Sequence, residues 1–572
     1  MTGSSRTSEP PVVTRGALSP GRVWWARVRA VTTFEVRAQA REPLTTLYGL
    51  VFGLLAFGYA SSNAVELVRD RGDVPRTASW ALMLAFGGLT AFGQVITTMI
   101  ATTAMLRDEA QRTRALVGTS GLGPRTWFVA RVGAALLVML GVYAAMPAGI
   151  VLGTMVGRGD LGEALTSSAR AYAMVTVPTM VTVTLLLASA ALLTQRVLGV
   201  LAAALALVAV WQLALSLAGD PSTAIVGAWI DPFGNAPVLV ATRGWSEAQR
   251  AHALVPLGGL LAANRALWAV VALAVATIVL RTRAHQAFAP TVPDGNRRGE
   301  VRTAHALASS TTPLASLRRF TASWMQFDGG WRVVTVLAVL NAAFNSLTRA
   351  LPAGEGSVAP FVAALALVSE HSRLFLILLA TVYAGELVWR ERDVRVHQLV
   401  DALPVSRGTV ALGRIHGLLA AQRHVTIPLA VVALTVAMVR TRADVPSVSD
   451  MATTWIAWSV FVLWLPFAQL TVLSLAVHVL LDHKVAAHLL LITGWVVAVV
   501  LDGQGVSSWW LRFAEPAPLL ADGTVAWAAL LVRGAYWSAV SGVLVWVCWW
   551  RWPADRIPGD RHQADGRPQE RQ

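Results

Sequence analysis

Long apolar stretches separated by short polar segments run the length of the chain. A helix needs about 20 residues to cross a hydrocarbon layer, and twelve stretches reach or approach that length. The first half offers Leu44–Ser62, Trp80–Leu106, Val132–Val156, Ala171–Thr194, Val197–Ala218 and Leu260–Leu280. The second half offers Val333–Leu351, Phe361–Leu387, Ile415–Val439, Trp455–Leu481, Val485–Leu501 and Leu530–Trp550. Two further segments, Val23–Pro43 and Leu317–Arg332, mix arginines with Trp24, Trp25 and Phe34, or with Phe320, Trp324 and Phe327. Each precedes the first stretch of a half, and the mixture suits a helix lying in the plane of the membrane surface.

The polar segments alternate in charge. Seven arginines precede the first stretch, five lie in Arg107–Arg131, eight in Arg281–Arg332, five in Arg390–Arg414 and five from Arg551 onward. The turns Gln195-Arg196 and His483-Lys484 are also basic, whereas every other connection is near neutral or acidic. Cytoplasmic loops collect Arg and Lys, so the pattern predicts cytoplasmic termini and a cytoplasmic central linker. Met1 to about Pro20 is polar and has no apolar signal core.

The halves correspond. Arg107–Arg131 aligns without gaps on Arg390–Arg414, 283 residues later. Arg107/Arg390, Arg112/Arg395, Leu116/Leu399, Val117/Val400, Thr126/Thr409 and Arg131/Arg414 coincide, and Asp108 faces Glu391. A tight basic turn and then a long outer loop recur in the same order. Arg265 and Arg533 stand near the start of the final stretch of each half. The pattern predicts a duplicated six-helix unit in which both copies share one orientation. The expected divisions are 1–43, a first unit at 44–283, a linker at 284–332, a second unit at 333–550 and a tail at 551–572.

Composition agrees with a membrane chain. The 572 residues are 55% hydrophobic and 14% charged, against about 25% charged in an ordinary soluble domain, and mean hydropathy is +0.56. The net charge of +15 follows from the basic loops and needs no nucleic acid. Cys548 is the only cysteine, which excludes an internal disulfide. The one lysine, Lys484, follows His483, so there is no Gly-Lys-Ser/Thr of a P-loop. No histidine is followed by Glu, and no catalytic constellation is evident. The chain reads as no enzyme, with no directly bound cofactor.

The most informative segments are the two aligned basic loops. The second reads Arg390-Glu391-Arg392, then Leu399-Val400-Asp401-Ala402-Leu403-Pro404-Val405-Ser406-Arg407. It resembles the ABC-2 type permeases, whose loop carries a Glu/Arg run, a Leu-Leu pair, a small-Pro-x-Ser turn and a basic residue. The first copy departs, with Gly121-Leu122-Gly123-Pro124 at the turn. Asp231-Pro232-Phe233-Gly234 resembles part of the family's re-entrant outer loop, and Glu515-Pro516 stands in the matching region. Phe34-Glu35-Val36-Arg37 with Arg41-Glu42-Pro43 is similar to the entry of forms fused to a C-terminal zinc aminopeptidase, a domain not found here.

The resemblance implies an all-α permease of two six-helix units in the cell membrane, exporting a substrate that the sequence leaves unknown. It implies separate ATPase subunits, two of them, carrying ATP-Mg. It implies that Arg107, Asp108, Glu109, Arg112, Leu116 and Pro124 dock on one of them, and Arg390, Glu391, Arg395, Leu399, Pro404 and Arg407 on the other. Polar residues inside apolar stretches are costly. Glu370, His371, Arg373, Arg423, His424, Asn341 and Asn345 are therefore candidates for a pathway lining, or for internal ion pairs and span ends that fix packing. A major-facilitator transporter would share the parallel halves, but its Gly…Asp…Gly-Arg-Arg/Lys loop pattern is absent. A membrane scaffold without transport is the third reading.

Overall fold

The computed structural model describes residues 20–61, 65–68, 71–111, 113–284, 312–348, 359–393, 397, 399, 404–441, 447–481, 483–503, 508–516, 519–521 and 524–552. Among these, ten helices or near-continuous helix pairs are long and apolar enough to cross a membrane. The count is eleven when the bent pair Ser79–Phe92 and Ile96–Glu109 is taken as one span. The chain is a multi-pass helical membrane protein. Each apolar stretch read from the sequence lies mainly on helix where its residues are described. The stretch Val485–Leu501 lies on Lys484–Gly503, whose apolar run Ala486–Trp495 is too short to count with the others. A departure from an all-helical chain is a two-residue antiparallel ladder, Leu520↔Val525 and Ala521↔Thr524, before the last helix.

Helices in lipid gain little from burying apolar surface against one another, so small residues that allow close approach take over. The helix Pro43–Ser61 packs along Ala145–Gly157. The contact runs over Gly149, Gly153 and Gly157, a small residue at every fourth position. A side chain at Gly149 would overlap the Gly53 carbonyl, and one at Gly153 would crowd the Phe57 carbonyl. In the second half Gly413 and Gly417 receive the amphipathic helix Pro313–Phe327 through Leu317 and Thr321. Its first-half counterpart, Pro20–Ala40, lies along Pro124–Tyr143, with the Thr32 hydroxyl donating to the Ala130 carbonyl at 3.1 Å.

Each half builds its own core. One cluster runs from Tyr48 to Val279 and the other from Met325 to Trp552, and Leu201 and Leu205 of Val197–Gly219 join the second. That helix packs on Gly329–Thr348 and makes the principal contact between halves.

Two local irregularities recur. Tyr172–Thr176 and Trp458–Trp464 are π-helical, and each precedes a proline, Pro178 or Pro466. A proline has no N–H and collides with the carbonyl four residues back. Those carbonyls belong to Met174 and Val462, inside the widened turns that relieve the collision. A third irregularity is not shared. Beside the bend of 50° stands Gly93, where a side chain would overlap the Tyr143 hydroxyl and the Phe52 ring. The corresponding helix of the second half, Ala359–Asp393, runs unbroken.

The glycine contact gives a direct test. Gly149→Leu lowers the melting temperature of the purified protein by the equivalent of about 1–3 kcal/mol of overpacking. Gly141→Leu, which meets nothing within 4 Å, leaves it unchanged.

Candidate functional site

The residues singled out by the aligned loops converge at the ends of the helices they join. Arg107, Asp108 and Glu109 close the helix Gln94–Ala110, and Arg131 faces them from Pro124–Tyr143. Arg131 Nη2 lies 2.7 Å from Asp108 Oδ1 and 3.3 Å from Glu35 Oε1, and its Nη1 donates to the Ala104 carbonyl at 2.6 Å. Arg107 Nη2 reaches Glu35 Oε1 at 2.6 Å and its guanidinium lies over the Phe34 ring. Trp127 Nε1 adds a hydrogen bond to Asp108 Oδ2 at 3.3 Å. The side chains of Glu35, Arg131 and Asp108 are only 2%, 4% and 8% exposed. Burial pushes the Glu35 carboxyl above its ordinary range, against the opposing pull of Arg131 and Arg107. A buried ion pair survives when its remaining donors and acceptors also find partners. Here three elements, the amphipathic helix and the two helices flanking the loop, supply partners for Glu35 Oε1, both Asp108 oxygens and both Arg131 Nη atoms, while Glu35 Oε2 and Arg131 Nε are buried without one among the described residues.

The same contacts recur 283 residues later. Arg414 pairs with Glu391, as Arg131 pairs with Asp108. Arg390 lies over the Trp324 ring of the second amphipathic helix at 4.2 Å, as Arg107 lies over Phe34. The match is incomplete in one respect. Glu35 follows Phe34, whereas the residue after Trp324 is Met325, buried and apolar. Pro313–Phe327 contains no acidic residue. Its end is tethered through Asp328, whose Oδ1 accepts from the Tyr383 hydroxyl at 2.5 Å and from Trp331 N at 2.9 Å.

From these anchored roots the loops project. Arg114–Thr119 is a six-residue helix held by Arg114 to Glu109 at 3.0 Å and to Gln195 of the adjacent turn. In the second half the turn residue Lys484 holds Glu386 at 3.0 Å. Leu116 and Leu399, aligned in the sequence, are 71% and 73% exposed. Pro124 occupies the first turn of its helix after an extended Gly123. In the second copy Pro404 is exposed, and Arg407 opens a helix capped by Ser406, whose Oγ accepts from Thr409 N. Arg112 and Arg395 lie outside the described residues.

The polar residues inside the helices divide into two groups. Asn341 donates to Gln212 Oε1 at 2.6 Å and to the His371 carbonyl at 2.8 Å, and Asn345 donates to Asn341. Ser216 and Thr348 share a hydrogen bond of 2.5 Å. Asn341, Asn345 and His371 therefore meet at the contact between halves, together with Gln212, which the sequence reading omitted. An amide in so apolar a stretch is the signal that could have found it. Glu370, Arg373 and Arg423 stand on exposed faces, and His424 turns its ring to the Ala421 carbonyl.

At the other end of the first half, Ala224–Ile230 and Asn235–Ala241 flank the buried turn Asp231–Gly234. Asp231 accepts from Phe233 N at 2.7 Å and Ala236 N at 2.6 Å. Arg265 donates to the Asp231 and Pro232 carbonyls and to Thr179. Gly234 takes a φ of 91°, where a side chain would be strained and would press on the Arg265 guanidinium. In the second half Arg533 likewise reaches the carbonyl of the proline after an acidic residue, Pro516, at 3.5 Å, and Glu515 pairs with Arg512.

Removing one guanidinium separates the two clusters. Arg131→Met leaves buried carboxylates short of a partner and costs about 3–5 kcal/mol, read as a lower melting temperature in detergent. Arg414→Met costs about 1 kcal/mol or less, because the Glu391 side chain is 27% exposed and reaches water. Compared with known proteins, the chain matches no protein-family model and no curated protein sequence.

Proposed function

We propose that the chain is the membrane-spanning permease of an ABC-2 type ABC transporter, an exporter driven by two separate ATPase subunits. On this reading it holds twelve spans in two parallel six-helix units, lies in the cell membrane and keeps both termini in the cytoplasm. ATP-Mg binds to the partner subunits, and the chain supplies no catalytic residue.

The observation that carries the proposal is the pair Leu116 and Leu399. Large apolar side chains stand exposed at aligned positions of the two loops. The loop roots are fixed by the same arginine–acid and arginine–aromatic contacts in both halves. An exposed leucine on a braced polar loop suits insertion into a partner's groove. The bracing lets a push at the tip move the joined helices as rigid bodies. The recurrent π turn before Pro178 and Pro466 and the arginine–proline contacts at the opposite end support duplication of the unit. The seam of Gln212, Asn341, Asn345 and His371 is where a pathway between halves would open.

The test is association. Tagged protein extracted gently brings down a soluble P-loop ATPase, and Leu116→Asp combined with Leu399→Asp reduces its recovery at least about tenfold, the scale of one lost anchor residue. Membrane insertion is unchanged in that variant. Absence of any nucleotide-binding partner, together with transport driven by a proton gradient alone, overturns the reading.

A further inference from the structure

The amphipathic helix Pro20–Ala40 uses one face to hold the protein and leaves another that none of the described residues covers. Val28, Glu35 and Gln39 form the buried face, at 7%, 1% and 3% exposure. Arg22, Arg27, Arg29 and Arg37 are exposed. Trp25 and Phe34, at 63% and 62% exposure, flank them. The only carboxylate of the helix is Glu35, and Arg107 and Arg131 already engage it. Among the described residues none of Arg22, Arg29 and Arg37 meets an acidic side chain. The second amphipathic helix carries similar residue types: Arg318 is exposed beside Phe320 and Phe327, at 45% and 61%, with no acidic residue in the helix.

We infer that these two helices bind anionic phospholipid headgroups. The exposed aromatic rings set the depth, since amphipathic rings settle at the headgroup level. At that depth the guanidiniums meet phosphate, and arginine binds phosphate through a planar fork of donors. A row of arginines on an amphipathic helix adds attraction for anionic lipid with each charge. An acidic protein surface would satisfy the arginines but leave Trp25 and Phe34 without an apolar layer. Lipid satisfies both. The first helix is also wired through Glu35 to Arg107 and Arg131, so a lipid bound on its outer face steadies the root of the adjacent loop. The inference stands apart from the transport reading, because it concerns a lipid surface and not an ATPase.

The experiment uses the full-length chain in neutral detergent. Dioleoyl phosphatidylglycerol or phosphatidylcholine is added, and bound lipid is counted by native mass spectrometry alongside the melting temperature. Phosphatidylglycerol binds and raises the melting temperature, and high salt weakens the effect. Arg22→Gln, Arg29→Gln and Arg37→Gln combined reduce its affinity about tenfold or more, without changing the melting temperature in the absence of lipid. The corresponding triple lysine variant retains binding and serves as the measure should the glutamine variant fold poorly. Arg158→Gln, on an exposed helix end elsewhere, has no effect. Equal binding of the two lipids, or a triple glutamine variant that keeps its preference for phosphatidylglycerol, overturns the inference. So does loss of a co-purifying acidic protein from that variant while lipid binding persists, which assigns the face to a protein partner.

Discussion

Hydrocarbon offers neither a hydrogen-bond partner nor a solvent for charge, and this constraint organises the molecule. Backbone groups close on themselves as helices. A charge deep in the bundle meets partners on every side, as Arg265 does against Asp231, Pro232, Thr179 and Asn264. The same scarcity of partners makes each irregularity informative. The π turns before Pro178 and Pro466 exist because a missing N–H must be accommodated inside the helix. The glycine seam between Pro43–Ser61 and Ala145–Gly157 exists because close contact is what holds helices together in lipid.

The loop-end clusters show a second use of that constraint. At the boundary between lipid and water a charge can be half-buried, so its strength depends on depth. The first-half cluster has three nearly inaccessible charged side chains and ties the amphipathic helix into the bundle through Glu35. The second-half cluster leaves Glu391 partly in water and relies on Trp324 stacking and the Asp328 tether. Both clusters keep the arginines, while the residue after the aromatic ring is the buried acid Glu35 in one amphipathic helix and the buried apolar Met325 in the other.

What the sequence revealed follows from how far each signal travels along the chain. Apolar stretches and alternating basic loops are local, and they located the helices. The gapless match of Arg107–Arg131 with Arg390–Arg414 selected the arginines and acids that pair in space, because both partners lie within one short segment. Glu35 stands out in the sequence only through a resemblance, since its partner Arg107 is 72 residues away. Gln212 was missed because Asn341 lies 129 residues off. Asp231 and Arg265 were both noticed, yet nothing along the chain joins them. Glu370, Arg373 and Arg423 are candidates for a pathway lining in the sequence and stand on exposed faces in the structure. A largely apolar helix carries no contrasting periodicity to show in advance which face each occupies.

The bend at Gly93 gives the halves unequal mechanics. On one side of it the helix carries Arg107 and Asp108. On the other it is fastened through Trp80, whose Nε1 donates to Thr242 at 3.0 Å. A jointed rod absorbs a tilt at its joint, whereas a continuous rod carries the tilt to its far end. Ala359–Asp393 is continuous, so a tilt of the same size at the two loop ends would reach different depths of the bundle. Equal tilts would thus meet one compliant arm and one stiff arm, so the two similar halves differ in how far each carries a local movement.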